Sequence, residues 1–287
     1  MESDRARDGA SRLVIGRTAC DSARMRIPIY QVDAFTSRVF TGNPAAVCPL
    51  DEWLGEQTLG AIAAENNLPE TAFFVGRSGR YGIRWFTPAT EVDLCGHATL
   101  ATAWVILHLL DPSLEAVTFD SRSGPLSVTR YGEMLALDFP SRPPTQCAWP
   151  ADVAAALGQA PRAILASRDY LAVYDSEEDV RALRPDMARL AQIDRQGVIA
   201  TAPGRDADFV SRYFAPRAGV PEDPVTGSAH CTLVPYWSER LGRSSLRALQ
   251  VSARGGELFC EDRGERVKIA GRAVLYLEGA IHVSFDR

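Results

Sequence analysis

The chain has 287 residues, of which 46% are apolar and 23% are charged, and its net charge is −5. These values are typical of a globular protein with a buried core, and they argue against nucleic acid as a partner, because nucleic-acid binding needs a basic surface. No apolar run approaches the roughly 18 residues that cross a membrane. The six cysteines form no close pairs, so we expect neither a zinc knuckle nor disulfides, and a cytoplasmic location.

The first 24 residues lack the continuous apolar stretch of a secretory signal, and we expect a disordered extension there. From residue 25 to residue 150, hydrophobic spacing and turn residues predict strands at 27–35, 45–48, 71–75, 81–86, 118–131 and 134–139, and helices at 56–67 and 97–110. The helix at 97–110 is apolar nearly all round, which is typical of a buried helix. The proline-rich segment 140–150 is the predicted crossover to the rest of the chain.

Beyond the crossover, the same signals predict helices at 151–157, 177–190 and 228–241, and strands at 163–174, 198–201, 208–214, 251–260, 267–269 and 273–283. Pro235 is expected to kink the last of these helices, because proline removes a helical hydrogen bond. Strands outnumber helices and hairpin signals dominate. The sequence therefore predicts an α+β fold with mixed or antiparallel sheets.

Two segments of the chain are copies of one another. FTP at 86–88 and CGHA at 95–98 return as FAP at 214–216 and TGSA at 226–229, and SRSGPLSVTRYG at 121–132 returns as SARGGELFCEDRG at 252–264. The three landmarks Phe86, Gly96 and Gly132 recur at offsets of 128, 131 and 132 residues. Such agreement indicates an internal duplication.

The duplication predicts two pseudo-symmetric half-domains, each a curved mixed or antiparallel sheet wrapped on a central helix. We place the first half at residues 25–122 plus 280–287 and the second at 123–279, with a final strand crossing back to the first half. The two central helices begin at Gly96 and Gly227. Their first N–H groups and positive dipole ends should together form a site for a small anion such as a carboxylate.

Three polar residues stand out against this apolar framework as candidates for chemistry. His97 follows the first glycine, Asp223 precedes the second by four residues, and Glu70 lies between a predicted helix and a predicted strand. Each also has a structural explanation: a solvated glutamate, a histidine bonded to a carbonyl oxygen, and an aspartate that caps a helix.

The chain resembles the PhzF-like isomerases of phenazine biosynthesis, within the wider fold of diaminopimelate epimerase and proline racemase. The resemblance extends from residue 29 to the C-terminus. It rests on VDAFT at 32–36 with GNPAAV at 42–47, on NLPET at 67–71, on FTP at 86–88 with GHA at 96–98, and on EDPVTGSA at 222–229.

This resemblance implies a role for each matching residue. Glu70 would carry a proton between two carbons of a dihydro-hydroxyanthranilate, while His97 and Asp223 would orient the substrate and assist. Gly96, Gly227 and Ser228 would hold the substrate carboxylate. The resemblance also implies an isomerase that needs no cofactor and no metal, and that forms a homodimer.

Cys95 leaves a second interpretation open. The triplet CGH at 95–97 also resembles the first catalytic motif of proline racemases, which use two opposed cysteines. The position of the second cysteine is Thr226 here, which cannot act as a thiolate base, so a Cys/Thr pair would instead resemble hydroxyproline dehydratases. The structural alternative is that Cys95 only fills the core.

Three hypotheses therefore follow from the sequence. The leading one is a cofactor-independent isomerase of a small carboxylic acid that uses Glu70. The second is a racemase, epimerase or dehydratase of an amino or hydroxy acid that uses Cys95. The third is a non-catalytic protein that binds a metabolite in the cleft. The sequence does not identify the substrate.

Overall fold

Residues 24–284 are the part of the chain that this computed structural model describes. The extension predicted for residues 1–24 lies outside the described residues, except for its last residue. The strands are β1 Arg24–Ala34, β2 Asn43–Leu50, β3 Glu70–Arg77, β4 Arg80–Phe86, β5 Glu91–Val92, β6 Ala116–Ser121, β7 Gly124–Tyr131, β8 Met134–Pro140, β9 Thr145–Gln146, β10 Ala163–Ala166, β11 Tyr170–Val173, β12 Val198–Pro203, β13 Phe209–Ala215, β14 Val220–Asp223, β15 Ser245–Gln250, β16 Gly256–Asp262, β17 Arg266–Gly271 and β18 Ala273–Ser284. The helices are α1 Glu56–Asn66, α2 Gly96–Val105, α3 Ala151–Ala156, α4 Glu177–Ala182, α5 Met187–Leu190 and α6 Gly227–Leu241.

The order of strand pairing repeats along the chain. Strands β1, β2, β3, β4, β6, β7 and β8 are neighbours in that order, and the successive pairs are antiparallel, parallel, antiparallel, parallel, antiparallel and antiparallel. Strands β10, β11, β12, β13, β15, β16 and β17 follow the same sequence of pairings. This repeated order confirms the predicted α+β fold of two pseudo-symmetric halves.

Two antiparallel pairings join the halves. Strand β8 pairs with β17, and β18 pairs with β1 along its whole length. The predicted final strand that returns to the first half is therefore β18, and its pairing with β1 begins at residue 273. The pairing order groups β7 and β8 with β1–β6. We therefore propose that the boundary between the two halves lies in segment 141–150 rather than after residue 122.

Each half packs its sheet on one central helix. Helix α2 contacts β1, β2, β3 and β8, and α6 contacts β8, β15, β16 and β17. Nine of the ten residues of α2 are buried, as its apolar sequence predicts. Residues 106–110 continue α2 as one π-helical turn, so the predicted helix at 97–110 is in two parts.

Several predicted elements are divided in the structure. The predicted strands at 118–131 and 163–174 are the hairpins β6–β7 and β10–β11. The predicted helix at 177–190 is split into α4 and α5, because Pro185 restricts the residue before it to non-helical conformations. The prediction omitted β15 and began β16 five residues too early.

Pro235 lies inside α6, which continues through it to Leu241. A proline cannot donate to the carbonyl four residues earlier. That carbonyl, of Cys231, instead accepts a hydrogen bond of 2.9 Å from the backbone N–H of Arg142. The carbonyl released by the proline therefore attaches the crossover segment to α6.

Candidate active site

The N-terminal ends of α2 and α6 face each other beside a cleft of about 400 Å³. A β-carbon at Gly96 would lie 3.5 Å from the Cα of Gly227, so the two helix starts are in van der Waals range. No side chain caps either start, although Cys95 and Thr226 occupy the capping positions. The structure thus brings together the two predicted helix starts with N–H groups that an anion could use.

Glu70 and His97 meet in this cleft. Glu70 is the first residue of β3, directly after the turn in which left-handed Asn67 ends α1. Its Oε2 lies 3.1 Å from Nε2 of His97, whose side chain is only 4% exposed. The two atoms are not aligned as a hydrogen bond, and neither has another hydrogen-bond partner among the described residues. Buried polar atoms without a partner are uncommon, and a bound ligand would satisfy them.

Asn43 connects His97 to the second half. Its Nδ2 lies 2.7 Å from Oδ1 of Asp223, 2.9 Å from the carbonyl oxygen of Val225 and 3.0 Å from Nδ1 of His97. The two protons of the amide nitrogen are taken by Asp223 and Val225, and Nδ1 of a protonated His97 is itself a donor. Gly42 allows Asn43 this position, because its φ of +69° and its contact with the Ala34 carbonyl exclude any side chain. Asn43 lies in the GNPAAV motif at 42–47, but the sequence did not predict it as a site residue.

Asp223 closes the cleft from the second half. Its Oδ2 accepts a hydrogen bond of 2.5 Å from the hydroxyl of Thr226. Burial raises the pKa of Asp223 to about 6; the positive charge of His97 opposes this rise and the negative charge of Glu70 adds to it. Asp223 can therefore change its protonation state near neutral pH.

His97 is held in charged surroundings. Burial opposes protonation of the ring, but the nearby acidic groups of Cys95 and Glu70 outweigh it and raise the pKa of His97 well above 6.5. Burial also raises the pKa of the Cys95 thiol to about 11, so this thiol is neutral at pH 7. Of these two groups, Glu70 is the one that can form an ion pair with the ring, over 3.1 Å.

The two residues of the second interpretation occupy different surroundings. The Sγ of Cys95 lies 3.5 Å from Nδ1 of His97. Thr226 donates to Asp223, and its backbone N–H donates to Oε1 of Gln250 over 2.8 Å. The Nε2 of Gln250 in turn lies 3.0 Å from the Thr226 hydroxyl oxygen. Both polar groups of Thr226 are thus engaged, and Gln250, which the sequence analysis missed, holds them.

A cationic side chain that was not predicted also lines the cleft. Arg168 lies in the turn between β10 and β11, and its Nη2 donates to Oγ of Ser228 over 3.1 Å. Its Nε donates to Oδ2 of Asp169 over 3.1 Å. The hydroxyl of Tyr213 donates to the other oxygen of Asp169 over 3.0 Å. No motif or spacing in the sequence marks Arg168, because its contact with Ser228 exists only in the folded chain.

The ligand atoms of Glu70, Cys95 and His97 lie within 4.8 Å of one another, close enough to hold a metal ion. Carboxylate, thiolate and imidazole are all zinc ligands. The family resemblance implies that no metal is needed, and this stays a prediction.

Comparison with known proteins identifies the family. Residues 32–279 match the PhzC-PhzF family, described as phenazine biosynthesis-like protein. An uncharacterized isomerase of Pseudomonas aeruginosa is 56% identical over 259 residues, which cover 90% of this chain and 100% of the relative. The chain therefore belongs to the PhzC-PhzF family, as its motifs indicated.

Solved structures agree with this assignment. A PhzF family protein of Enterococcus faecalis superposes with a TM-score of 0.88 at 47% identity, covering 90% of this chain and 100% of that chain. A hydroxyproline epimerase from Agrobacterium vitis, bound to trans-4-hydroxy-L-proline, has a TM-score of 0.57 at 11% identity and covers 91% of this chain and 93% of its own. The latter likeness shows the fold alone. It confirms the predicted relation to the racemase and epimerase fold.

The sequence predicts no segment that crosses a membrane. Between residues 24 and 284, no helix combines the length and the hydropathy that a membrane span requires.

Proposed function

We propose that this protein is a cofactor-independent isomerase that moves a proton within a small carboxylic acid, with Glu70 as the group that takes and returns the proton. The observation that carries the proposal is the pair of facing atoms, Glu70 Oε2 and His97 Nε2, 3.1 Å apart and without another hydrogen-bond partner. A general base must lie within hydrogen-bond reach of the carbon-bound proton that it removes. The relatives named as isomerases support the same class of reaction.

The neighbouring residues fit supporting roles. His97, protonated through its contact with Glu70, would hold the carboxylate of Glu70 and stabilise negative charge on the substrate. Asp223, whose pKa is about 6, would accept a hydrogen bond from the substrate or assist its orientation. Gly96, Gly227 and Ser228 would bind the substrate carboxylate through the uncapped helix starts.

The chemistry of Cys95 disfavours the racemase and dehydratase alternative. A thiol whose pKa is about 11 supplies only about one thiolate in 10⁴ molecules at pH 7. The opposing position is Thr226, whose hydroxyl is already bonded to Asp223. Two-base chemistry across the cleft therefore has no second base at this position.

The test is to supply trans-2,3-dihydro-3-hydroxyanthranilate in D₂O and to follow isomerisation and deuterium incorporation by NMR. Glu70→Gln should lower turnover by roughly 10²- to 10⁴-fold, the usual loss for a general acid–base, while binding is retained. Glu65→Gln, an exposed change in α1, should leave turnover unchanged.

The alternatives predict different results. Full activity in Glu70→Gln together with its loss in Cys95→Ser would favour the racemase or dehydratase hypothesis. Tight binding of this compound with no turnover by the wild-type protein would favour a non-catalytic binding protein.

We further propose a cytoplasmic homodimer that uses no nucleic-acid partner. All five cysteines in the described range are free thiols, which suits a reducing compartment. Phe40 and Tyr276 are exposed by 69% and 47% and pack edge to face with ring centroids 5.6 Å apart, and we propose this exposed apolar pair as part of the interface. A monomer in light scattering at micromolar concentration would contradict the dimer.

A further inference from the structure

The two helix starts carry opposite charges beside them. In the repeat, His97 and Ser228 are equivalent, because each directly follows the glycine that begins its helix. Nε2 of His97 lies 3.1 Å from Oε2 of Glu70. Oγ of Ser228 lies 3.1 Å from Nη2 of Arg168. The two walls of the cleft therefore carry different groups at equivalent helix starts, a carboxyl group at one and a guanidinium at the other.

The described residues do not provide hydrogen-bond acceptors for all the N–H groups of Arg168. Its Nε and Nη2 both lie 3.1 Å from Oδ2 of Asp169, and Nη2 also donates to Ser228. Its Nη1 has no acceptor among residues 24–284. The charge of Asp169 is shared, because its other oxygen accepts from Tyr213. Arg168 thus keeps a free pair of N–H donors in a cleft that also contains the unpartnered atoms of Glu70 and His97.

Asp169 offsets the charge of Arg168, but the helix start beside Ser228 repels it. A cation beside a helix N-terminus faces the positive end of the helix dipole. An incoming carboxylate would reverse this interaction, since it could accept from Nη1 of Arg168, from the helix N–H groups and from the hydroxyl of Ser228. That hydroxyl oxygen accepts from Arg168, which leaves its own proton available to a ligand.

We propose that Arg168 binds the substrate carboxylate together with Ser228, and so positions the substrate and selects carboxylic acids over neutral analogues. The inference rests on the proposed function and adds the orientation of the substrate in the cleft. The carboxylate is held on the wall of the second half, and the carbon that exchanges its proton faces Glu70 across the cleft. Arginine is suited to this role because its planar donors match a carboxylate and stay charged at any working pH.

The experiment measures binding without turnover. Acetate, benzoate and anthranilate, and their neutral partners acetamide, benzamide and 2-aminobenzamide, are titrated by ligand-observed NMR up to millimolar concentration. In the wild type we expect at least one acid to bind more tightly than its amide. Arg168→Met should weaken the binding of acids by roughly 10- to 100-fold, as expected for a lost charged hydrogen bond, and should leave the amides unchanged.

Two further variants control for structural effects. Arg168→Met leaves Asp169 buried without its counter-ion, so the double variant Arg168→Met/Asp169→Asn removes both charges and should show the same loss of acid preference. Arg168→Lys should restore part of it. Arg162→Met, at an exposed ion pair on the same half, should bind like the wild type.

Three results would overturn the inference: equal acid preference in wild type and in both Arg168→Met variants, equal binding of acids and amides by the wild type, or no binding of any acid. Glu70→Gln should keep the acid preference. A wild type that selects acids through Arg168 but does not isomerise would refute the proposed reaction and leave the role of Arg168 standing.

Discussion

Tyr213 fills the space that a side chain at position 197 would need. A β-carbon built on Gly197 would lie 2.7 Å from the phenolic oxygen of Tyr213. Thr71 pairs with Phe86 and Val198 pairs with Phe214, and the two phenylalanines are equivalent in the repeat, so Gly197 is the counterpart of Glu70. The packing of Tyr213 therefore excludes a second acid at the equivalent position. The proton-transferring group that we propose is confined to one wall.

Gly197→Ala tests this packing. The added methyl group would collide with Tyr213 and with the carbonyl oxygen of Phe214, also at 2.7 Å. We expect a loss of about 1–3 kcal/mol in the free energy of unfolding, the usual cost of overpacking. Gly60→Ala is the matched control, because it lies inside α1 with no atom near its added methyl group, and it should gain about 0.5–1 kcal/mol. Equal stability of Gly197→Ala and wild type in urea unfolding would contradict the clash.

His97 should stay protonated at neutral pH. Burial acts against its charge, but the acidic groups around it prevail and raise its pKa above 6.5. NMR titration of the ring should therefore show a midpoint above that value, and Glu70→Gln should move the midpoint down. His230 is the internal comparison, since burial lowers its pKa to about 4. A His97 midpoint at or below 6.5 would remove the electrostatic link to Glu70.

Asp223 should make the folded state less stable as the pH rises. Its pKa is raised from 3.8 to about 6 on folding, so between these values the folded state binds more protons than the unfolded state. Asp223 contributes its full stabilisation below pH 3.8. This contribution, up to about 3 kcal/mol, is lost as the pH rises through about 6. Asp223→Asn lacks this loss, so its stability relative to the wild type should improve across the window. Parallel urea unfolding curves at both ends of the window would refute this.

Cys95→Ser should reduce turnover by less than about tenfold, far short of the loss for a general base. The thiol is 6% exposed and its pKa is about 11, so alkylation by iodoacetamide at pH 7 should be slow. Mass spectrometry of the Cys95 peptide measures the rate. Rapid alkylation that abolishes activity, and that substrate prevents, would instead assign the chemistry to the thiol.

Local sequence signals were sufficient for much of the fold and for the two helix starts. Glycines 96 and 227 begin apolar helices, and both helices begin there in the structure. The predictions of strands and helices fail where the local sequence lacks a turn signal and the tertiary structure determines the break. The hairpin at Ser167–Asp169 was predicted as part of one strand, because its two strands are both apolar and the turn contains no glycine or proline.

Only the site residues that lie in a family motif or at a repeated helix start could be predicted from the sequence. Glu70, His97 and Asp223 lie in the family motifs NLPET, GHA and EDPVTGSA, and all three line one cleft. Arg168 and Gln250 reach the site from turns and strand ends that are 60 and 24 residues from their partners Ser228 and Thr226. Their sequence surroundings are ordinary, so only the fold identifies them.

The pairing of β18 with β1 has a consequence for synthesis on the ribosome. Strand β1 is made before the other described strands, yet the partner on one of its edges, residues 273–284, is made after all of them. Until then the first half displays an open strand edge, which is a template for pairing with other chains. A nascent chain that stalls before β18 is made should therefore be prone to aggregation and should be protected by chaperones that cover extended segments.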